Sequence, residues 1–204
     1  MVRMMIVEES YMQGLKKYLH GQDDIHSIAS GFTTGMQEQM VSGLSGSARS
    51  ALVSIVNESL ERPVLLVTHQ LVQAQQLYED LQEITETERV HLYPVNELIA
   101  SEIAIASPEL KSQRIESLNQ WMNQGSGILI TPVSALKRVL PPKSYWERYR
   151  LPFIVGEEID VERYLAMLVD MGYERTGMVA SPGEFSIRGG IIDLYPLTAE
   201  FPYR

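Results

Sequence analysis

Gly43-Leu44-Ser45-Gly46-Ser47-Ala48-Arg49-Ser50 has the frame of a phosphate-binding loop and lacks two of its working parts. A working loop reads G-x-x-x-x-G-K-[ST]. Its glycines let backbone N–H groups close on phosphate, its lysine reaches the terminal phosphates, and its hydroxyl binds magnesium. Here Ala48 stands at the second glycine position, where a Cβ blocks close approach of the backbone. Arg49 stands at the lysine position, and a planar fork on a longer stem does not act as a compact buried point charge. Gly43 and Ser50 keep the pattern, with Gly46 between them. The frame points to nucleotide-hydrolase ancestry and the substitutions to lost hydrolysis. The plainer alternative is a Gly/Ser loop opening an ordinary helix.

Outward from the loop, strands alternate with helices. Ser50–Leu60 reads as the helix that the loop frame requires. Pro63–Thr68 holds the continuous run Val64-Leu65-Leu66-Val67, which reads as a buried parallel strand. Gln70–Ile84 follows as a helix with Leu71, Ala74, Leu77, Tyr78 and Leu81 on one face. Val90–Tyr93 is a short strand stopped by Pro94. Ser107-Pro108 opens another helix with a capping hydroxyl and a first-turn proline. It runs to about Asn123, before a third strand at Gly127–Thr131 and a stop at Pro141-Pro142. Upstream, Glu8–His20 has helical spacing, and Gly21-Gln22-Asp23-Asp24 reads as its end, with a polar connector beyond. The alternation implies βαβ units and a parallel sheet.

Beyond Leu151 the grammar changes. Phe153–Val155 reads as a strand, and Asp160 caps a helix through Met171 that ends at Gly172. Glu184–Arg188 and Ile191–Tyr195 read as strands joined at Gly189-Gly190. The expected fold is α/β: a parallel-sheet, P-loop-NTPase-like domain with a degenerate loop over residues 1–148. A smaller α+β domain with antiparallel pairing follows over 149–204. It reaches Arg204 with too few strands for a closed sheet, so it is expected to be truncated.

Composition narrows the function. The 204 residues are 45% hydrophobic, enough for one ample core or a domain and part of another. No run of about 18 apolar residues occurs, so no membrane contact is expected. There are no cysteines, and His20, His26, His69 and His91 lack ligand spacing, so neither metal nor cofactor is expected. A cytoplasmic protein fits. Net charge is −9 with no basic stripe, only Lys16-Lys17 and Lys137-Arg138, which argues against direct DNA binding.

Four segments carry a family resemblance: Ser42–Ser50, Leu65–Leu81, Ile128–Leu140, and Tyr173-Glu174-Arg175 with Gly183–Pro196 (GEFSIRGGIIDLYP). The last resembles the second domain of the excision-repair protein UvrB and the matching region of bacterial transcription-repair coupling factors. GLSGSARS and the ending Leu197–Arg204 favour the coupling factors. The resemblance implies a UvrB-like module of a much longer DNA translocase, with residues 1–148 like UvrB domain 1a and 149–204 like UvrB domain 2. It departs from UvrB at the phosphate loop. The segment Tyr93–Pro108 is short, with one tyrosine where UvrB has an aromatic-rich hairpin for damaged DNA. No acidic Walker B box occurs either. What the resemblance keeps is the domain that docks onto UvrA.

Of the three arginines that carry that contact in UvrB, two are matched, at Arg175 and Arg188, and the third falls at Ser186. Phe185 is a candidate apolar anchor beside them. The implied partners are UvrA, RNA polymerase through other domains, and the rest of the parent protein, which can mask the surface. The residues themselves fit such a role. On a strand Ser186 and Arg188 share one face, and Phe185 and Ile187 the other. Leu151–Arg204 holds four Arg, no Lys and nine Asp/Glu. Arginines on an acidic background suit bidentate protein contacts better than a phosphate clamp. Within reach of Arg188, however, lie Asp193 and Glu184, and an internal ion pair is the alternative. A residual nucleotide-binding domain of a UvrB- or helicase-like ATPase is the other functional reading, with Ser50 at a helix N-terminus as its anion site.

Overall fold

A computed structural model of the chain describes residues 18–95, 108–137 and 139–204. These form two compact units. The first holds residues up to 95 with 114–137, and the second holds 108–113 with 139–204. Most of the proposed helix at Glu8–His20, the Ser107 cap and Arg138 lie outside the described residues.

In the first unit the elements run α1 (Asp23–Thr33), α2 (Ala48–Leu60), β1 (Pro63–Thr68), α3 (Leu71–Ile84), β2 (Val90–Leu92), α4 (Pro108–Gln124) and β3 (Gly127–Pro132), with α4 shared between the units. The three strands make a parallel sheet in the order β1-β3-β2, registered Val64 to Ile128 and Val90 to Ile128. The expected α/β alternation is therefore present. Its core is the buried set Ala74, Leu81, Val90, Ile128 and Ile130, packed by Val64, Leu66, Leu77 and Tyr78. The 3.6-residue stripe of α3 thus meets one face of the sheet. β3 opens at Gly127, whose φ of +136° and neighbour, the Arg89 carbonyl 2.9 Å from where a Cβ would sit, exclude a side chain.

Two expectations change here. Val64–Val67 is buried on one face only, and Leu65 and Val67 are 46% and 43% exposed. Among the described residues β1 is an edge strand, and the continuous burial expected of a parallel strand belongs to the central β3. Asp23–Thr33 is a helix and not a connector. Its Asp23 and Asp24 form an acidic first turn, favourable at the positive end of the helix dipole.

The second unit holds a short helix, α5 (Lys143–Arg148), then α6 (Val161–Asp170), β4 (Glu174–Arg175), β5 (Glu184–Arg188) and β6 (Ile191–Leu194). The Asp160 carboxylate accepts the Arg163 N–H at 3.1 Å and so caps α6. At its other end Gly172 adopts φ +89°. Gly172 N–H donates to Val169 O and Tyr173 N–H to Leu168 O, both at 2.9 Å, which closes the helix in a Schellman turn. The sheet is mixed, not purely antiparallel: β5 pairs antiparallel with β6 and parallel with β4. Phe153–Val155 is not a strand. Among the described residues it pairs with no strand, and it stays exposed, with Phe153 edge-on to Tyr164.

Candidate protein-docking site

The phosphate-loop frame is occupied by its own side chains. A phosphate loop joins a strand to a helix, but residues 36–42 are irregular and no described strand precedes Gly43. Gly43 and Gly46 turn with φ of +83° and +53°, and Arg49 folds back so that its Nε donates to Leu44 O at 3.3 Å. Ser50 is fully buried, and its hydroxyl donates to Asp80 Oδ2 at 3.2 Å on α3. The group that would bind magnesium is thus engaged inside the fold. Ser54 continues this polar seam to Thr85 at 2.8 Å.

Tyr93 is similarly withdrawn. Its ring is buried under the Arg114 guanidinium, 4.7 Å from the ring centroid, and its hydroxyl accepts from the same arginine. Such a ring is not free to stack on a base. Among the described residues no group of His, Asp or Glu is placed to hold a metal ion.

In the second unit, alternation along β5 divides the predicted docking residues between two faces. Arg175 is the parallel partner of Phe185, so the two side chains share the face toward α6. There they line a groove of about 330 Å³ with Leu165, Ala166, Val169 and Asp170. Arg175 is exposed and has no ion pair among the described residues. Val169 at the lip is 58% exposed. Phe185 is 1% exposed. It is the groove floor and not a protruding anchor, because β5 is the central strand and α6 packs over that face.

Ser186 and Arg188 lie on the opposite face, across from Asp193 and Ile191 of β6. Ser186 is not a surface contact. It is buried, and among the described residues its hydroxyl has no partner. Arg188 sits 3.6 Å from Asp193 Oδ2, with its side chain 61% exposed. Arg204 holds the same carboxylate more closely, Nε to Oδ1 at 2.7 Å and Nη2 to Oδ2 at 3.3 Å. Asp193 therefore titrates below its ordinary range, with the Arg204 hydrogen bond the largest cause. Glu184, the other candidate partner for Arg188, is engaged elsewhere. Its carboxylate accepts the N–H groups of Ala180 at 2.7 Å and Ser181 at 3.0 Å, which lower its pKa.

The α6 side of the groove was missed by motif reading. Leu165 and Val169 are spaced i, i+4, beside the core residue Leu168. An apolar stripe wider than one core contact needs was the available signal. The Arg204 contact depends on an isolated antiparallel bridge between Leu194 and Tyr203, which nothing local in the chain announces.

Residues 151–204 match the family model of the UvrB interaction domain. The chain is similar to the transcription-repair-coupling factor of Bacillus subtilis (strain 168), 47% identical over 193 residues, which is 95% of this chain and 16% of that protein. It is 38% identical over 166 residues to the Staphylococcus aureus (strain MRSA252) protein of the same name, covering 81% of this chain and 14% of that one. A Staphylococcus haemolyticus (strain JCSC1435) relative is 37% identical over 166 residues, with the same coverage. The chain spans about one-sixth of the length of the curated relatives it matches. It belongs to the transcription-repair-coupling factor family, and residues 151–204 are a UvrB interaction domain.

Proposed function

We propose that this chain is an adaptor module that presents a UvrB-like surface to UvrA, and so brings the excision machinery to RNA polymerase engaged by other parts of a longer protein. One observation carries the reading. Within the UvrB interaction domain, Arg175 stands exposed and, among the described residues, without an ion pair at the edge of an apolar groove floored by Phe185. An unpaired guanidinium beside apolar surface is the usual composition of an interface hot spot.

The module does not hydrolyse ATP in this reading. Ser50 bonded to Asp80, the absence of a described strand before the loop, and Ala48 and Arg49 in place of glycine and lysine all support that. Net charge of −9 and the buried Tyr93 support a protein partner over DNA.

Binding of purified chain to UvrA, followed by biolayer interferometry, tests the proposal. Arg175→Ala should lose about 2 kcal/mol, near thirtyfold in affinity, with an unchanged melting curve. Arg188→Ala should weaken binding as well. Because the two arginines share no partner and lie on opposite faces, their effects should add in the double variant. Wild-type affinity in both single variants sinks the adaptor reading.

A further inference from the structure

Arg188 and Arg204 compete for one carboxylate, and the geometry ranks them. Arg204 engages both oxygens of Asp193. Arg188 reaches one of them at 3.6 Å, an ion-pair distance too long for a hydrogen bond. Backbone pairing fixes this order. Leu194 N–H donates to Tyr203 O at 2.9 Å and Tyr203 N–H to Leu194 O at 2.8 Å. That bridge delivers Arg204 to Asp193, the neighbour of Leu194 on β6. The causes of the lowered Asp193 pKa follow the same ranking, with the Arg204 hydrogen bond first and the Arg188 charge last.

We infer that Arg204 is a positioning residue: it satisfies Asp193 so that the Arg188 guanidinium stays available to a carboxylate of the docking partner. The inference rests on the adaptor reading, in which Arg188 contacts UvrA. A carboxylate has about four acceptor directions on two oxygens, and a planar fork covers two of them in parallel. With Arg204 in place, Asp193 is neutralised and has little further pull on a second, solvent-screened arginine. Without Arg204, a largely buried carboxylate stands unpaired beside Arg188 and draws it into a closed internal pair. The partner's carboxylate then has to displace Asp193.

The measurement is affinity for UvrA across five forms of the 204-residue chain: wild type, Arg188→Ala, Arg204→Gln, Asp193→Asn, and the double variant Arg204→Gln with Asp193→Asn. Thermal melting is recorded for each. Arg204→Gln is expected to weaken binding roughly threefold to tenfold, the scale of one interfacial charge contact. Asp193→Asn is expected to bind as well as wild type or better. The double variant decides: it lacks the Arg204 clip but also lacks the competing charge, so affinity should return to within about twofold of wild type. A purely structural role for Arg204, or its own direct contact with UvrA, leaves the double variant as weak as the single one, and either overturns the inference. Wild-type affinity in Arg204→Gln overturns it too. If Arg188→Ala itself binds normally, the adaptor reading for that residue is what has failed.

Discussion

Position 185 joins the groove to the core, so truncation there acts on both. Phe185→Ala removes a ring that is 1% exposed and is expected to destabilise the second unit by about 3–5 kcal/mol. Urea unfolding checks this. Phe185→Leu keeps most of the volume and should cost less than about 1.5 kcal/mol, so it is the variant that reports on docking and not on folding. Acid acts through two neighbouring carboxylates. Glu184 and Asp193 both titrate below their ordinary values, the first through the Ala180 and Ser181 N–H groups and the second through Arg204. A lowered folded pKa contributes stability that is complete above the ordinary carboxylate range and is lost as pH falls through the lowered value. Urea midpoints should therefore drop on acidification, and Glu184→Gln should flatten part of that slope. An identical slope in wild type and variant would show that the turn at Ala180-Ser181 does not depend on this charge. Arg175 and Arg188 come from the family resemblance, since their residue types alone fit internal ion pairs as well. Their assignment to opposite faces could not be read from the chain, because it depends on the two-residue strand β4 pairing in parallel with β5.

Among the elements, α6 is the one whose ends were written most clearly in the chain. Asp160 and Gly172 cap it where the spacing predicts. Asp160→Ala should cost about 1 kcal/mol in the same urea assay, since it leaves the Arg163 N–H without its acceptor. Alternating strands and helices in the first unit were equally legible, because 3.6-residue and continuous apolar patterns differ over windows of this length. Where the reading went astray, local pattern met a tertiary condition. Phe153–Val155 has strand composition but no strand to pair with among the described residues. Val64–Val67 looks central and, among the described residues, lies at an edge. In Asp23–Thr33, Ile25, Ile28, Ala29 and Phe32 have helical spacing, and the two aspartates that read with Gly21-Gln22 as a helix end begin this helix instead. The helix dipole favours acidic residues at a helix start over a helix end, so the aspartate pair was itself the available signal.

For the whole molecule, nucleotide is the informative probe. Titration calorimetry with ATP and magnesium is expected to give no heat up to millimolar concentration. Restoring the missing residues, Ala48→Gly with Arg49→Lys, should not change that, because the loop still lacks a preceding strand among the described residues and Ser50 remains bound to Asp80. Saturable heat from the restored variant would mean that the frame is intact and only its side chains were lost. The Ser50–Asp80 bond has one more consequence. In a motor, the helix behind the phosphate loop is the part that feels fuel arrive and leave. Here that helix is tied to its neighbour from within, so on the adaptor reading the melting temperature should not move with added ATP.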